Sequence, residues 1–346
     1  MSKPGSKPGL SQLKADVVNS IRTKMKENGI TESFYNKITG GTGACESVNT
    51  AFTLANTLDL SFLSQTDQLL MEAEILENDL HGVWTLGRSY RNEPRTGDGR
   101  HLSEFALLEF EQKDMDLKGL VSFQQELLDA AMKVALESPC VSTEHKKRLE
   151  QYLKKPAPVI SYTEIIERLS NKGVSFTWGN DFSSTTEEMV CLLYDGPVQI
   201  THYPESIKFF NMYRSNRGDM AANMSINEYN EKRYTVECCD FLLPWAGETF
   251  GASRREENYH TLTTKLKESS MFAQMVRMRA DWKNWSHNDP VPEEIKEDAW
   301  KPFVSYLELF NPEKHSDRQS FTRSGFGLGM GRLLQFLLGN TEVIVF

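Results

Sequence analysis

The chain has 346 residues, 39 % of them hydrophobic and 25 % charged, with a formal net charge of −9. Those values suit a globular protein with a sizeable core, and the acidic balance argues against broad nucleic-acid binding through many Lys and Arg contacts to phosphate. No apolar run reaches the roughly 20 residues of a membrane span, and the opening Met1-Ser2-Lys3-Pro4-Gly5 lacks a signal peptide's apolar stretch.

Residues 1–11 read as a flexible tail, and 12–28 as an amphipathic helix with Leu13, Val17, Ile21 and Met25 at four-residue spacing. Segments 63–77 and 117–137 predict further helices. Between them lies the clearest strand pair, 83–93 and 104–111, joined by the polar, glycine-bearing loop 94–100. Strand alternation puts Arg91 and Glu93 on one face of the first strand. It groups Phe105, Leu107, Glu109 and Glu111 on one face of the second. Helices near 162–171 and 186–193 and a strand near 197–203 follow. Segment 214–233 reads as an exposed excursion, its Arg214, Arg217, Lys232 and Arg233 offset by Asp219, Glu228 and Glu231. Strands at 234–243 and 248–253 are joined through Pro244-Trp245-Ala246-Gly247, and a polar stretch at 283–300 precedes a glycine segment and a last helix at 333–338. No internal repeat or long linker divides the chain, so one domain over 12–346 is expected. Five cysteines (Cys45, Cys140, Cys191, Cys238, Cys239) lack metal-site spacing, and their odd number argues against a closed disulfide framework; the cytoplasm is the default compartment.

Several residues carry possible chemistry, each with a plainer alternative. Arg91 can clamp phosphate or carboxylate oxygens through its rigid fork, or simply pair with Glu93 or Glu109. Phe105 is either core or one wall of a base-stacking slot, with the Arg332 guanidinium as the other wall. Glycines at alternate positions in Gly325-Phe326-Gly327-Leu328-Gly329-Met330-Gly331-Arg332 suit an extended strand over which a ligand or another backbone passes closely; tight strand–helix packing is the alternative. Asp240 and Glu248 bracket the 244–247 turn and could reach one spot from neighbouring strands, as paired hard oxygen ligands for magnesium completed by ATP phosphates; surface solvation is the alternative. Arg255 could close the pocket over a carboxylate or a carbonyl, with Arg254 or an Arg255–Glu256 pair as competitors.

The order Arg91-x-Glu93, loop, Arg100-His101-x-x-Glu104-Phe105-x-x-x-Glu109-x-Glu111, then Gly325-x-Gly327-x-Gly329-x-x-Arg332 resembles the class II aminoacyl-tRNA synthetases. Asp240 to Arg255, Trp178-Gly179-x-Asp181-x-Ser183-Ser184 and Tyr203-Pro204-x-x-Ile207-Lys208 sharpen the likeness to the aspartyl/asparaginyl branch and to the related archaeal asparagine synthetase. The resemblance implies an α+β fold, an antiparallel sheet of about six or more strands flanked by helices, and a homodimer. It implies ATP and Mg²⁺, with Arg91 on the α-phosphate, Phe105 and Arg332 about adenine, and His101 near the outer phosphates. Glu93, Arg100 and Gly329 belong to the same ATP site, and Asp240 and Glu248 would bind the metal. Gln68 and neighbouring carboxylates, with Glu46, Glu109 and Gly251, would receive the amino acid, its side chain reaching Arg255. Attack of a substrate carboxylate on the α-phosphate would give an acyl-adenylate and pyrophosphate.

Aspartate-specific relatives carry a lysine where this chain has Met71 and an aspartate where it has Glu109. An aspartate carboxylate buried without its cation costs several kcal/mol, so Met71 with Glu109 favours a neutral carboxamide, asparagine or a close relative. The chain also departs from the pattern. About thirty residues precede the core, where relatives place an anticodon-binding barrel; the first motif, Tyr35-Asn36-Lys37-Ile38, lacks its proline; and Gly331 replaces the usual glutamate. These departures weigh against tRNA charging. The leading expectation is a stand-alone, AMP-forming amino-acid ligase passing the acyl group to a small amine or carrier. Ammonia-dependent asparagine synthesis from aspartate, tRNA aminoacylation and a non-catalytic paralogue are the alternatives.

Overall fold

The computed structural model describes residues 9–41, 48–54, 59–92, 102–215, 234–286, 289–315 and 322–346. Helix α1 (Leu10–Glu27) buries Leu13, Val17, Ile21 and Met25, the stripe its spacing predicts. Short strands β1 (Thr31–Glu32), β2 (Ile38–Thr39) and β3 (Phe62–Leu63) lead to helix α2 (Gln68–Asn78). Long strands β4 (Gly82–Tyr90) and β5 (Glu104–Lys113) come next, then helices α3 (Leu117–Glu137) and α4 (Thr143–Tyr152). The middle of the chain holds β6 (Val159–Ser161), α5 (Tyr162–Asn171), α6 (Ser184–Tyr194) and β7 (Val198–Thr201). Strands β8 (Cys238–Leu243) and β9 (Gly247–Arg254) precede three helices, α7 (Tyr259–Glu268), α8 (Ser270–Trp282) and α9 (Glu293–Glu308). Strand β10 (Arg323–Gly329) runs directly into α10 (Met330–Leu338).

Eight strands form one sheet in the order β1-β4-β5-β10-β9-β8-β7-β6. Its pairings are antiparallel except at the two edges, β1 with β4 and β6 with β7. Because side chains alternate across a sheet, each central strand sends one set of residues to a core and the other to the opposite face. Ala106, Leu108 and Phe110 of β5, Phe326 and Leu328 of β10, and Phe250 and Ala252 of β9 join one apolar core with residues of α1, α3 and α10. Within it Phe326 stacks on Phe110 at 4.9 Å and meets Phe250 edge-on at 5.6 Å. A second core joins residues of α7, α8 and α9 with Leu76 of α2, and a third lies around α5, α6 and β7.

Three expectations are corrected. The helix expected at 63–77 begins only at Gln68. Phe62 and Leu63 pair with β2, and the Asp67 amide donates to Glu109 Oε2 at 2.9 Å, so a tertiary acceptor holds that amide outside the helix. The polar stretch 283–300 contains the start of α9, whose buried Ile295, Ala299, Phe303 and Tyr306 form a stripe diluted in sequence by charged neighbours. Arg214, assigned to an exposed excursion, is 2 % exposed and donates to Glu205 at 2.5 Å; Arg217, Lys232 and Arg233 lie outside the described residues.

Phe326 is the aromatic shared by the β5, β9 and α3 layers. Phe326→Ala is expected to destabilise the fold by about 3–5 kcal/mol through lost transfer energy and the cavity left behind, read as a shift in the urea midpoint.

Candidate active site

Opposite the apolar core, the sheet carries a cavity of about 360 Å³. Its floor follows from register. Glu109 of β5 lies opposite Gly327 of β10, Gly327 opposite Gly251 of β9, and Gly251 opposite Asp240 of β8. One row across four strands thus has a carboxylate at each end and glycines between, the ends about 14 Å apart at the usual strand spacing. Phe105, Leu107, Glu109 and Glu111 all line the cavity from one face of β5.

The glycines are required by what lies over them. A Cβ on Gly325 would fall 2.2 Å from the Glu111 carboxyl and 2.3 Å from the Phe110 carbonyl. A Cβ on Gly251 would fall 2.7 Å from Glu248 Oε1. Both glycines give up space to a carboxylate.

Asp240 and Glu248 reach one face because the β8–β9 ladder is irregular. Asp240 is opposite Gly251, but the register shifts between Phe241 and Leu242, and Leu242 is opposite Glu248. Without that bulge Glu248 would point to the other face, since one residue of slip reverses every side chain. Both carboxylates line the cavity. Lys208 Nζ donates to Asp240 Oδ2 at 2.6 Å. Burial pushes the Asp240 carboxyl up to about 7 even against that ammonium, with Glu248 adding repulsion. Burial works against the Lys208 charge, but Asp240, with Glu248 and Asp181, together outweigh it, so the lysine is held protonated.

At the other end lies a buried ion network. Arg255 donates through Nε to both Glu111 oxygens, at 3.1 and 3.2 Å, through Nη2 to Glu111 as well, and through Nη1 to Ser253 at 2.7 Å. Beneath it Glu72 is wholly buried. It accepts from Arg323 at 2.9 Å, Tyr306 at 3.0 Å and Gln68 at 2.9 Å, with Arg255 Nε at 3.9 Å. Burial pushes Glu111 up to about 7, Arg255 pulls it down and Glu72 pushes it up again. Burial and the Glu72 charge keep the Tyr306 phenol protonated and donating. With both glutamates ionised, the two arginines and two glutamates cancel.

Glu109 has a different setting. Its oxygens accept from the Thr66 hydroxyl and the Asp67 amide. Burial, then the Asp67 charge, push it up to about 7 against those hydrogen bonds and the Lys37 charge.

Arg91, just past β4, has its amide on Ser103 O at 2.9 Å and its guanidinium over the Phe105 ring at 4.9 Å. Arg332, from the first turn of α10, donates to the Glu248 carbonyl and lines the same cavity as Phe105. Beside it Gly331 seats the C-terminal segment. A Cβ there would meet Ile344 O at 2.6 Å and Val343 Cγ2 at 3.1 Å, and Val343 itself lines the cavity.

The cavity therefore brings together Arg91, Phe105, Glu109, Asp240, Glu248, Gly251, Arg255, Gly329, Arg332 and Gln68. Glu46, Glu93, Arg100 and His101 lie outside the described residues. Met71 requires a correction. It is wholly buried with Ile75 and Val83 in an apolar cluster and is not among the residues that line the cavity. Arg255 lines the cavity, and Glu111 is a carboxylate partner that holds it there. Sequence reasoning missed Glu72 and Arg323. Glu72 is one helical turn beyond Gln68, and that four-residue step was the available signal.

A sheet face ending in carboxylates, with an aromatic ring and guanidinium groups at its rim, puts hard oxygen ligands, a stacking surface and anion-binding forks in one cavity. Residues 9–346 match the family model for class II tRNA synthetases (D, K and N), and the chain belongs to that family. It is 33 % identical over 307 residues to the asparagine–tRNA ligase of Pyrococcus abyssi, covering 86 % of this chain and 58 % of that protein. It is 31 % identical over 333 residues to that of Thermococcus gammatolerans, covering 95 % and 65 %. The solved asparaginyl-tRNA synthetase from Pyrococcus horikoshii, complexed with asparaginyl-adenylate, superposes with a TM-score of 0.70 at 28 % identity, covering 96 % of this chain and 66 % of that one. The chain thus spans 58 to 66 % of the length of these relatives. Among the described residues no helix is long and apolar enough to cross a membrane.

Glu72→Ala is expected to cost about 3–5 kcal/mol, because it takes the carboxylate from between two buried guanidinium groups; urea unfolding measures it. The titrations give a second expectation. Glu109, Glu111 and Asp240 are all raised to about 7, so the folded state keeps protons that the unfolded chain releases near pH 4. Their contribution is complete below the unfolded values and is lost as pH rises through about 7. The urea midpoint should fall between pH 5 and 7.5, with a shallower fall in Glu109→Gln.

Proposed function

We propose that this protein activates the carboxylate of asparagine, or a closely related carboxamide amino acid, with ATP. A substrate carboxylate oxygen bonds to the α-phosphorus, the bond to the bridging oxygen breaks, and acyl-adenylate and pyrophosphate result. The observation that carries this reading is the charge-balanced floor. Glu111 neutralises Arg255, and Glu72 neutralises Arg323, so among the described residues this floor leaves no net cation to hold a side-chain carboxylate. An uncharged amide fits there, meeting donors and acceptors already fixed in place.

Each residue then has a physical task. Arg91 steadies the α-phosphate through its planar fork. Phe105 and Arg332 flank the adenine, and Gly329 lets it approach the strand. Gln68 and Glu109 receive the substrate ammonium, and Gly251 leaves room for Glu248. Magnesium fits Asp240 and Glu248, hard oxygen donors on one face of adjacent strands, one of them already holding a cationic side chain. Bound there, the metal would offset phosphate charge. Little proton transfer is needed, so positioning and charge neutralisation carry the catalysis.

The acyl group passes, in this reading, to a small amine or carrier, in keeping with the chain's net charge of −9. A second reading, transfer to tRNA, is favoured by relatives named asparagine–tRNA ligases. ATP–pyrophosphate exchange with magnesium across the twenty amino acids tests the first step. Exchange is expected with asparagine, and reduced about 10²–10³-fold in Arg91→Ala. Exchange with aspartate alone would overturn the carboxamide reading and favour amidation of aspartate. AMP release stimulated by tRNA, rather than by small amines, would decide for the second acceptor.

A further inference from the structure

We propose that Lys37 and Asp67 are positioning residues for Glu109, and that their ion pair sets how firmly Glu109 receives the ammonium of the amino-acid substrate. The inference rests on Glu109 having that role in the proposed activity.

Neither residue lines the cavity, yet both act on its wall. Lys37 Nζ donates to Asp67 Oδ2, with the Asp67 side chain fully buried and that of Lys37 24 % exposed. The same Asp67 gives its amide to Glu109 Oε2 at 2.9 Å, and its neighbour Thr66 gives its hydroxyl to Oε1. The main chain carries a third tie, from the Ser64 amide to Lys37 O at 2.8 Å. Lys37 thus holds the 64–67 turn by backbone and side chain, and that turn holds Glu109. Strand β4 leaves space for the pair. A Cβ on Gly87 would fall 2.6 Å from Lys37 Nζ and 3.2 Å from Asp67 Oδ2.

Around Glu109 the charges come from several elements. Asp67 stands at the start of α2 and Lys37 on the segment entering β2. Farther along the face, Glu111 of β5 is paired with Arg255 beyond β9, and Glu72 of α2 with Arg323 of β10. The residues directly opposite Glu109, Thr85 on β4 and Gly327 on β10, are uncharged. With Lys37 cancelling Asp67, Glu109 presents, among these described residues, a carboxylate without a cationic partner of its own to the cavity. Without Lys37, two buried carboxylates share one turn, and like charges so placed favour a proton on one of them. Glu109 then offers an ammonium less charge. The opposing effects of Asp67 and Lys37 on the Glu109 titration agree with this geometry.

The test is the pH dependence of KM for asparagine in pyrophosphate exchange. Glu109 binds an ammonium as the carboxylate, so KM should fall as pH rises through its pKa. Lys37→Met should move that limb up by about one pH unit and raise KM about fivefold at pH 7 and about tenfold at pH 6 and below, with kcat changed less than about twofold. Asp67→Asn should move the limb in the opposite direction, and Lys37→Arg should restore it. A purely structural role would not give shifts of opposite sign. If both variants leave the limb in place, or move it the same way, the positioning role is overturned. Lys37→Met against Lys37→Arg decides the question even where Asp67→Asn fails to fold, since only a charge effect is restored by arginine. Glu109→Gln separates the two levels. If it leaves KM unchanged at every pH, the assignment of the ammonium to Glu109 falls and this inference with it. If it raises KM while the Lys37 and Asp67 variants leave the limb in place, the positioning role falls alone.

Discussion

Everything on the ligand face depends on burying charge only in balanced sets. An isolated carboxylate or guanidinium in a protein interior costs several kcal/mol even after relaxation, and the cost is met only when partners and hydrogen bonds are supplied together. Glu72 is the clearest case. It joins α2, β10 and α9 at one carboxylate, through Gln68, Arg323 and Tyr306. Three segments far apart in the chain are thereby fixed relative to one another. Since Gln68 and Arg255 both touch this network, the floor of the cavity takes its shape from the same contacts that hold the helices to the sheet.

The sheet contributes a second constraint, room. Carboxylates can lie over a β-sheet only where neighbouring strands give up their side chains. Gly325 does this for Glu111, and Gly251 for Glu248. A bulge between β8 and β9 then brings Glu248 to the face of Asp240. Glycine, bulge and register together convert an ordinary antiparallel sheet, apolar on its other side, into a surface with opposite chemical demands at its two ends. One end, around Asp240 and Glu248, concentrates negative charge. The other, around Glu111 and Arg255, is neutral.

Much of this was legible in one dimension. The α1 stripe, the extent of α3 and the shared face of Phe105, Leu107, Glu109 and Glu111 follow from local periodicity, which is set by backbone geometry and needs no tertiary information. The alternate glycines of β10 were legible as space left for something, though not for what. The start of α2 was not legible, because Glu109, more than forty residues away, takes the Asp67 amide. Met71 illustrates the same limit. Its position relative to Gln68 was plain in sequence, but which helix face meets the cavity depends on how α2 is rotated against β4 and β5.

The sequence by itself determined the family, the sheet-and-helix texture and the residue types available for nucleotide and carboxylate chemistry, because these rest on spacing along the chain. Only the tertiary structure decided which charges cancel. Nothing in the sequence shows that Arg255 meets Glu111 across two strands, or that Lys37 meets Asp67 behind Glu109. Charge pairing is a property of distance in space, and a steep one in a low dielectric. No spacing along the chain encodes it.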